Sequence, residues 1–179
     1  MVATRLETVA EFEANPREGR WELIDGEPVE ITPSAGLSSM IASRINGYVF
    51  VYLLDHPIGH AFASDGGFIL FPDRDTVRAP DFAFIQGYRL PKVPASFIPM
   101  PPDLAVEVLS PTDRLSEALA KVAMYLEAGV SLVWLIDPRK RTATVFRQNE
   151  LPETMGEDGA LHGEEVLPGF TLPLAVLFS

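Results

Sequence analysis

The chain has 179 residues, 47% of them hydrophobic, and carries 14 basic against 25 acidic side chains, a formal net charge of −11. The length and apolar content fit one globular domain over residues 1–179 without a disordered tail. No cysteine is present, which excludes disulfides, thiolate metal sites and cysteine nucleophiles, and the acidity argues against nonspecific adhesion to nucleic acid. An acidic metal site would itself add negative charge, and oligomerisation would gather scattered arginines into one groove.

In chain order, Thr8-Val9-Ala10-Glu11 reads as a capping box opening a short helix that ends near Asn15, before Pro16. Residues 20–31 hold two strand-like runs flanking Asp25-Gly26, a pair suited to a type I′ turn, so a β-hairpin is expected. From 38 to 54, Met40, Ile41, Ile45, Tyr48, Val49 and Tyr52 recur at helical spacing, with Ser43, Arg44 and Asn46 on the opposite face. Residues 59–71 and 76–86 read as two strands joined by Pro72-Asp73-Arg74-Asp75, and the proline-rich segment 87–102 as a loop over the sheet. Strand 103–109, a helix over 112–128 ended by Gly129, and strand 130–136 form a βαβ unit with parallel strands. A further antiparallel strand at 142–147 follows the turn at Asp137-Pro138-Arg139-Lys140, and Leu167-Pro168-Gly169-Phe170 is expected to pack back on the core. The fold class is therefore α/β (α+β), a mixed central β-sheet flanked by helices. No apolar run approaches the roughly 18 residues that span a bilayer, and the segment from Met1 to Glu7 lacks a signal-peptide core, so a cytoplasmic location without membrane contact is expected.

Two carboxylates interrupt apolar runs. Glu107 lies in Leu104-Ala105-Val106-Glu107-Val108-Leu109, and Asp81 in Ala79-Pro80-Asp81-Phe82-Ala83-Phe84-Ile85. Burying a carboxylate costs several kcal/mol unless donors or a cation compensate. Strand alternation puts Glu107 beside Ala105 and Leu109, and Asp81 beside Ala83 and Ile85, so neither has a cation two residues away. A divalent metal is the usual partner of two converging acids. On the helix that follows, Leu115, Leu119, Val122 and Leu126 form the expected core stripe, while Arg114, Ala118, Lys121 and Tyr125 form a flank stripe. Lys121 thus either reaches back toward the carboxylates or pairs with Glu117 one turn away.

Ala-Pro-Asp81, Val-Glu107-Val-Leu-Ser and the spacing Lys121-x-x-x-Tyr125-x-x-x-Gly129-Val130 resemble the Uma2 family, also called DUF820. Trp21-Glu-Leu-Ile-Asp-Gly-Glu27, Pro33-Ser34, residues 101–114, Trp134-Leu-Ile-Asp-Pro138 and Leu167-Pro-Gly-Phe170 extend the resemblance over nearly the whole chain. It implies a restriction-endonuclease-like fold of the PD-(D/E)XK superfamily, a metal-dependent nuclease activity on DNA, and Asp81, Glu107 and Lys121 as catalytic residues. Asp81 and Glu107 would hold Mg²⁺ or Mn²⁺, and Glu22 is a third candidate ligand, the alternative being a solvent-facing hairpin glutamate. In the superfamily's usual signature the lysine lies two residues after the second acid, where this chain has Leu109; Lys121 fits branches in which it has moved to the next helix. Leu37 stands where many relatives carry a histidine. A homodimer would suit cutting of both strands, but no interface is legible.

Other chemistry finds little support. His56 and His60 are four apart, but Pro57 and Gly59 break the helix a zinc pair needs, and Gly66-Gly67 is followed by no Gly-Lys-Ser/Thr. Ser110 has no histidine near it, Arg139-Lys140-Arg141 reads as a solvated turn, and Trp21 and Trp134 read as core anchors. The rival readings are a catalytically silent module that keeps the fold and binds nucleic acid or protein, and a glycosidase using paired carboxylates, which would need an open cleft lined with aromatics.

Overall fold

A computed structural model describes residues 5–179, so Met1–Thr4, part of the N-terminal segment expected to lack a signal core, lie outside the described residues. Helix α1 (Val9–Ala14) opens with the expected capping box: the Thr8 side chain accepts from Glu11 N, and the Glu11 side chain accepts from Thr8 N. Strands β1 (Arg20–Ile24) and β2 (Glu27–Ile31) form the hairpin, with Asp25 and Gly26 at φ 49° and 79°, as a type I′ turn requires.

Helix α2 (Gly36–Asp55) is followed by β3 (Gly59–Ala63) and β4 (Phe68–Phe71), then β5 (Thr76–Arg78) and β6 (Phe82–Gln86). The sequence pattern predicts one strand each for 59–71 and 76–86. Each is instead two strands in different sheets: β4 and β5 join the hairpin in the order β2-β1-β5-β4, while β3 and β6 belong to a six-stranded sheet. The breaks fall at Gly66-Gly67 and at Ala79-Pro80, where a proline lacks the N–H that continues a ladder. Asp81 therefore sits in the crossing between two sheets, not within a strand.

The six-stranded sheet has the order β10-β9-β8-β7-β6-β3 and is completed by β7 (Leu104–Val108), β8 (Leu132–Asp137), β9 (Thr142–Arg147) and β10 (Glu153–Met155). Strands β7 and β8 are parallel and joined through α3 (Leu115–Glu127), the expected βαβ unit; Gly129 follows the helix at φ 94°. The tail forms β11 (Ala160–His162), β12 (Thr171–Pro173) and α4 (Leu174–Leu177).

Alternation along the strands loads both faces of the large sheet. Phe82, Phe84, Leu104, Val106 and Trp134 pack with Ile41, Ile45 and Val49 of α2 and with Leu167, Phe170 and Leu177 of the tail, so the tail does return to the core. Ala83, Ile85, Ala105, Val133 and Leu135 face the other way, onto Ala118, Val122 and Tyr125 of α3. Glu107 shares the Ala105 face, so it points at α3. By length and composition α2 would suffice to cross a bilayer, contrary to the sequence expectation, yet its inner residues Ile41, Ile45 and Val49 are fully buried against the sheet.

Candidate active site

The antiparallel ladder of β6 and β7 ends at the Phe82–Val106 pair, with Asp81 one residue before Phe82 and Glu107 one residue after Val106, so both acids stand at the same end of the ladder. The Asp81 carboxylate folds back onto β7, its Oδ2 accepting from Val108 N at 2.8 Å. Its pKa is pushed up to about 6, first by burial and then by the negative charge of Glu107, with the Val108 hydrogen bond, Lys121 and Arg20 opposing the rise. The rise persists although Lys121 and Arg20 supply positive charge nearby.

Glu107, 7% exposed, has both oxygens occupied by α3. Oε2 accepts from Lys121 Nζ at 3.1 Å and Oε1 from the Tyr125 hydroxyl at 2.7 Å. Lys121 is thus on the carboxylate, and Glu117 pairs with Arg114 at 3.7 Å. Burial opposes the Lys121 charge, but Glu107 and Glu22 outweigh it and hold the ammonium above its ordinary pKa. Tyr125 is completely buried, and burial together with Glu107 raises its phenol well above the ordinary value. These contacts explain why α3 departs from its expected orientation. The stripe containing Ala118 and Tyr125 faces inward with Val122, while Leu115 and Leu119 are exposed at 47% and 40%. A buried carboxylate without donors would cost several kcal/mol, comparable to what burying two leucines would contribute.

Glu22 is not the solvent-facing hairpin residue of the alternative reading. The β1–β5 register pairs Leu23 with Val77, and so brings Glu22 opposite Arg78. Both are buried; Glu22 Oε1 accepts from Ala79 N at 3.0 Å, and Oε2 lies 2.8 Å from Arg78 Nη1 without an aligned hydrogen bond. Arg78 Nε has no partner among the described residues. The charges of Glu22 and Arg78 both act on Lys121 and Tyr125, so this ion pair lies in the wall behind the site.

Asp81, Glu107 and Lys121 line a cleft of about 390 Å³, with Arg20, Ser34 and Thr112 among the other lining residues. A second groove, of about 350 Å³, shares Arg20, Ser34 and Asp81 and continues along Ser39, Ser43 and Asn46 of α2. Arg20 Nη2 donates to Ser64 O at 2.7 Å and Nε lies 3.2 Å from Asp65, which holds the guanidinium between the grooves. Sequence reasoning passed over Arg20, Arg78 and the Tyr125 contact. The pairings that expose the first two join segments some 50 residues apart, and only Tyr125, one turn beyond Lys121, lay on a stripe already drawn.

Leu109, which takes the place of the usual lysine, is partly buried against the α3-side core. Leu37 lies in the first turn of α2 and is half exposed. Among the described residues no group of three or more His, Cys, Asp or Glu side chains converges to hold a metal. The donor set near Asp81 and Glu107 is instead two carboxylates in an open cleft, which suits a hard divalent ion that keeps several waters.

Comparison with curated proteins gives no match. Among solved structures, the chain is similar to the crystal structure of a "putative nuclease belonging to DUF820" from Anabaena variabilis: the TM-score is 0.82 at 24% identity, covering 96% of this chain and 97% of that one. The fold is thus shared end to end. The sequence itself matches the family described as "Uma2: Putative restriction endonuclease" over residues 6–175, and on that match the chain belongs to the Uma2 family.

Proposed function

We propose that the chain is an endonuclease that hydrolyses DNA phosphodiester bonds with Mg²⁺ or Mn²⁺ at the Asp81–Glu107 pair. The observation that carries this reading is the pair of carboxylates gathered at a cleft, where burial first and the Glu107 charge second raise the Asp81 pKa to about 6 while Lys121 is held against Glu107. A cation bound there would neutralise the pair, act as Lewis acid on a phosphoryl oxygen and acidify its water. Asp81 and Glu107 would hold and orient that cation. Lys121 remains an ammonium at neutral pH because its pKa is raised, so its role is to attract and stabilise charge building on the phosphoryl oxygens, not to accept a proton. Tyr125 fixes one Glu107 oxygen, which leaves Oε2, the oxygen on Lys121, as the more adaptable donor. Arg20, half exposed between the two grooves, is placed to receive a neighbouring phosphate. Glu22, tied to Arg78, supports the site's electrostatics and becomes a direct ligand only by releasing that partner.

The test is cleavage of supercoiled and linear DNA with Mg²⁺ or Mn²⁺ by wild type, Asp81→Ala and Glu107→Ala. Wild type should cut, and each variant should lose activity by orders of magnitude; equal activity in all three would sink the proposal. The net charge of −11 favours a second reading, a silent binding module. It predicts no cleavage by wild type and no calorimetric signal with Mg²⁺ or Mn²⁺.

A further inference from the structure

Two grooves meet at Asp81, and their charges differ. In the cleft that also holds Glu107, the carboxylates of Glu30, Asp113 and Glu117 add to the acid pair, so five acids stand against two cations, Arg20 and Lys121. In the groove beside α2, Asp81 is matched by Arg20, and the other polar side chains are neutral: Ser39, Ser43 and Asn46 of the helix, with Ser34 and Ser64. A phosphodiester strand leaving the acid pair is therefore repelled along the first groove and accepted along the second.

Ser39, Ser43 and Asn46 follow one another at four- and three-residue spacing, which puts them on one stripe of α2. The neighbouring polar residues are occupied within the chain. Ser38 donates to Leu109 O at 2.9 Å, and Arg44 Nη1 donates to Leu177 O and Ser179 O at 2.7 Å each. The three stripe side chains make no hydrogen bond among the described residues, so two hydroxyls and an amide are left to line the groove. Arg20 lines both grooves and is held through Nη2 by Ser64 O and through Nε by Asp65. Its guanidinium is thus preorganised to offer Nη1 to a phosphate at the junction.

We propose that the α2 groove is the subsite for one unpaired nucleotide of the substrate strand, flanking the phosphate addressed by Asp81 and Glu107, so that the favoured substrate is single-stranded DNA. The assignment deepens the nuclease reading above and rests on it. Arg20 anchors the phosphate between the two sites, while Ser43 and Asn46 hydrogen-bond the sugar and base edge. The groove's volume, about 350 Å³, is that of a small-ligand pocket. Duplex DNA is read by elements that protrude into its grooves, whereas recessed donors reach a base only when it is splayed out of its stack. Duplex binding also draws on about 6–10 phosphate contacts, and the cleft and groove together offer only Arg20 and Lys121 in a chain of net charge −11. A duplex gains access where it opens.

The experiment measures anisotropy of a fluorescein-labelled single-stranded oligodeoxynucleotide, and of the same sequence as a blunt duplex, with Ca²⁺ as the cation at fixed salt. Wild type should bind the single strand about 10-fold or more tighter than the duplex. Ser43→Asp and Asn46→Asp, which put a carboxylate into the groove, should each weaken single-strand binding by about 10-fold. Val51→Asp adds the same charge to an exposed position of α2 outside the groove and should leave binding within about 2-fold of wild type. Mn²⁺ binding should be unchanged in all three. Equal or tighter binding of the duplex, no binding of either DNA, or wild-type affinity in both groove variants overturns the proposal. The strand comparison uses wild type alone, so it decides even if a variant fails to fold. Cleavage assays separate the two claims: groove-dependent binding without cleavage sinks the nuclease reading and keeps the groove, while equal cutting of both DNA forms by wild type and both groove variants keeps the nuclease reading and sinks the groove.

Discussion

Replacing Asp81 with asparagine should stabilise the metal-free protein at pH 8 while abolishing its activity. The folded-state pKa of Asp81, about 6, lies above the reference value of 3.8. Between those values the folded chain keeps a proton that the unfolded chain has released, so stability falls as pH rises through this window, and the cost of the charge is complete above it. A difference of about two units corresponds to about 3 kcal/mol at about 1.4 kcal/mol per unit. Asparagine removes the charge and keeps an amide oxygen to accept from Val108 N, now bonded at 2.8 Å. Urea unfolding in a chelator, followed by the fluorescence of the buried Trp134, should show Asp81→Asn more stable by about 1–3 kcal/mol at pH 8. The gain should shrink toward zero below about pH 3, where both states of the wild type are protonated. A variant that is less stable than wild type at pH 8, or a gain that does not depend on pH, would refute the reasoning.

Lys121→Met should lower the cleavage rate by about 10²-fold or more with little change in DNA affinity, measured by single-turnover kinetics and anisotropy. Tyr125→Phe leaves Glu107 Oε1 without its buried donor and should cost about 1–3 kcal/mol in urea unfolding. Arg78→Met strands the buried Glu22 charge and should cost about 3–5 kcal/mol, whereas Glu22→Gln combined with Arg78→Met should recover much of that loss.

Local chemistry made much of the fold legible. The Thr8–Glu11 capping box, the Asp25-Gly26 turn and the parallel β7–α3–β8 unit are each specified by residues close in sequence, and all three form. Pro80 was readable as a strand breaker but was outweighed by the apolar run around it, and the cost was an Asp81 placed inside a strand. The orientation of α3 was harder. Its leucine stripe predicted burial of Leu115 and Leu119, but the inward face is chosen by Glu107, whose need for donors turns Lys121 and Tyr125 toward the sheet. The anomaly of an acid in an apolar strand points to the place where Asp81, Glu107 and Lys121 come together, but not to the demand that this acid makes on the helix. Glu22 and Arg78 meet only because β1 pairs with β5 across the chain, and no local pattern encodes that pairing. Helical periodicity likewise groups Met40 and Tyr48 with the buried residues of α2, but both are exposed.

The central claim is that Asp81 and Glu107 together form one divalent-cation site. Titration of the wild-type chain with Mn²⁺, followed by the electron paramagnetic resonance signal of the free ion, tests it most directly. One ion should bind per chain, and binding should be lost in both Asp81→Ala and Glu107→Ala while Glu22→Gln retains it. Equal Mn²⁺ binding by wild type and both alanine variants would contradict the account.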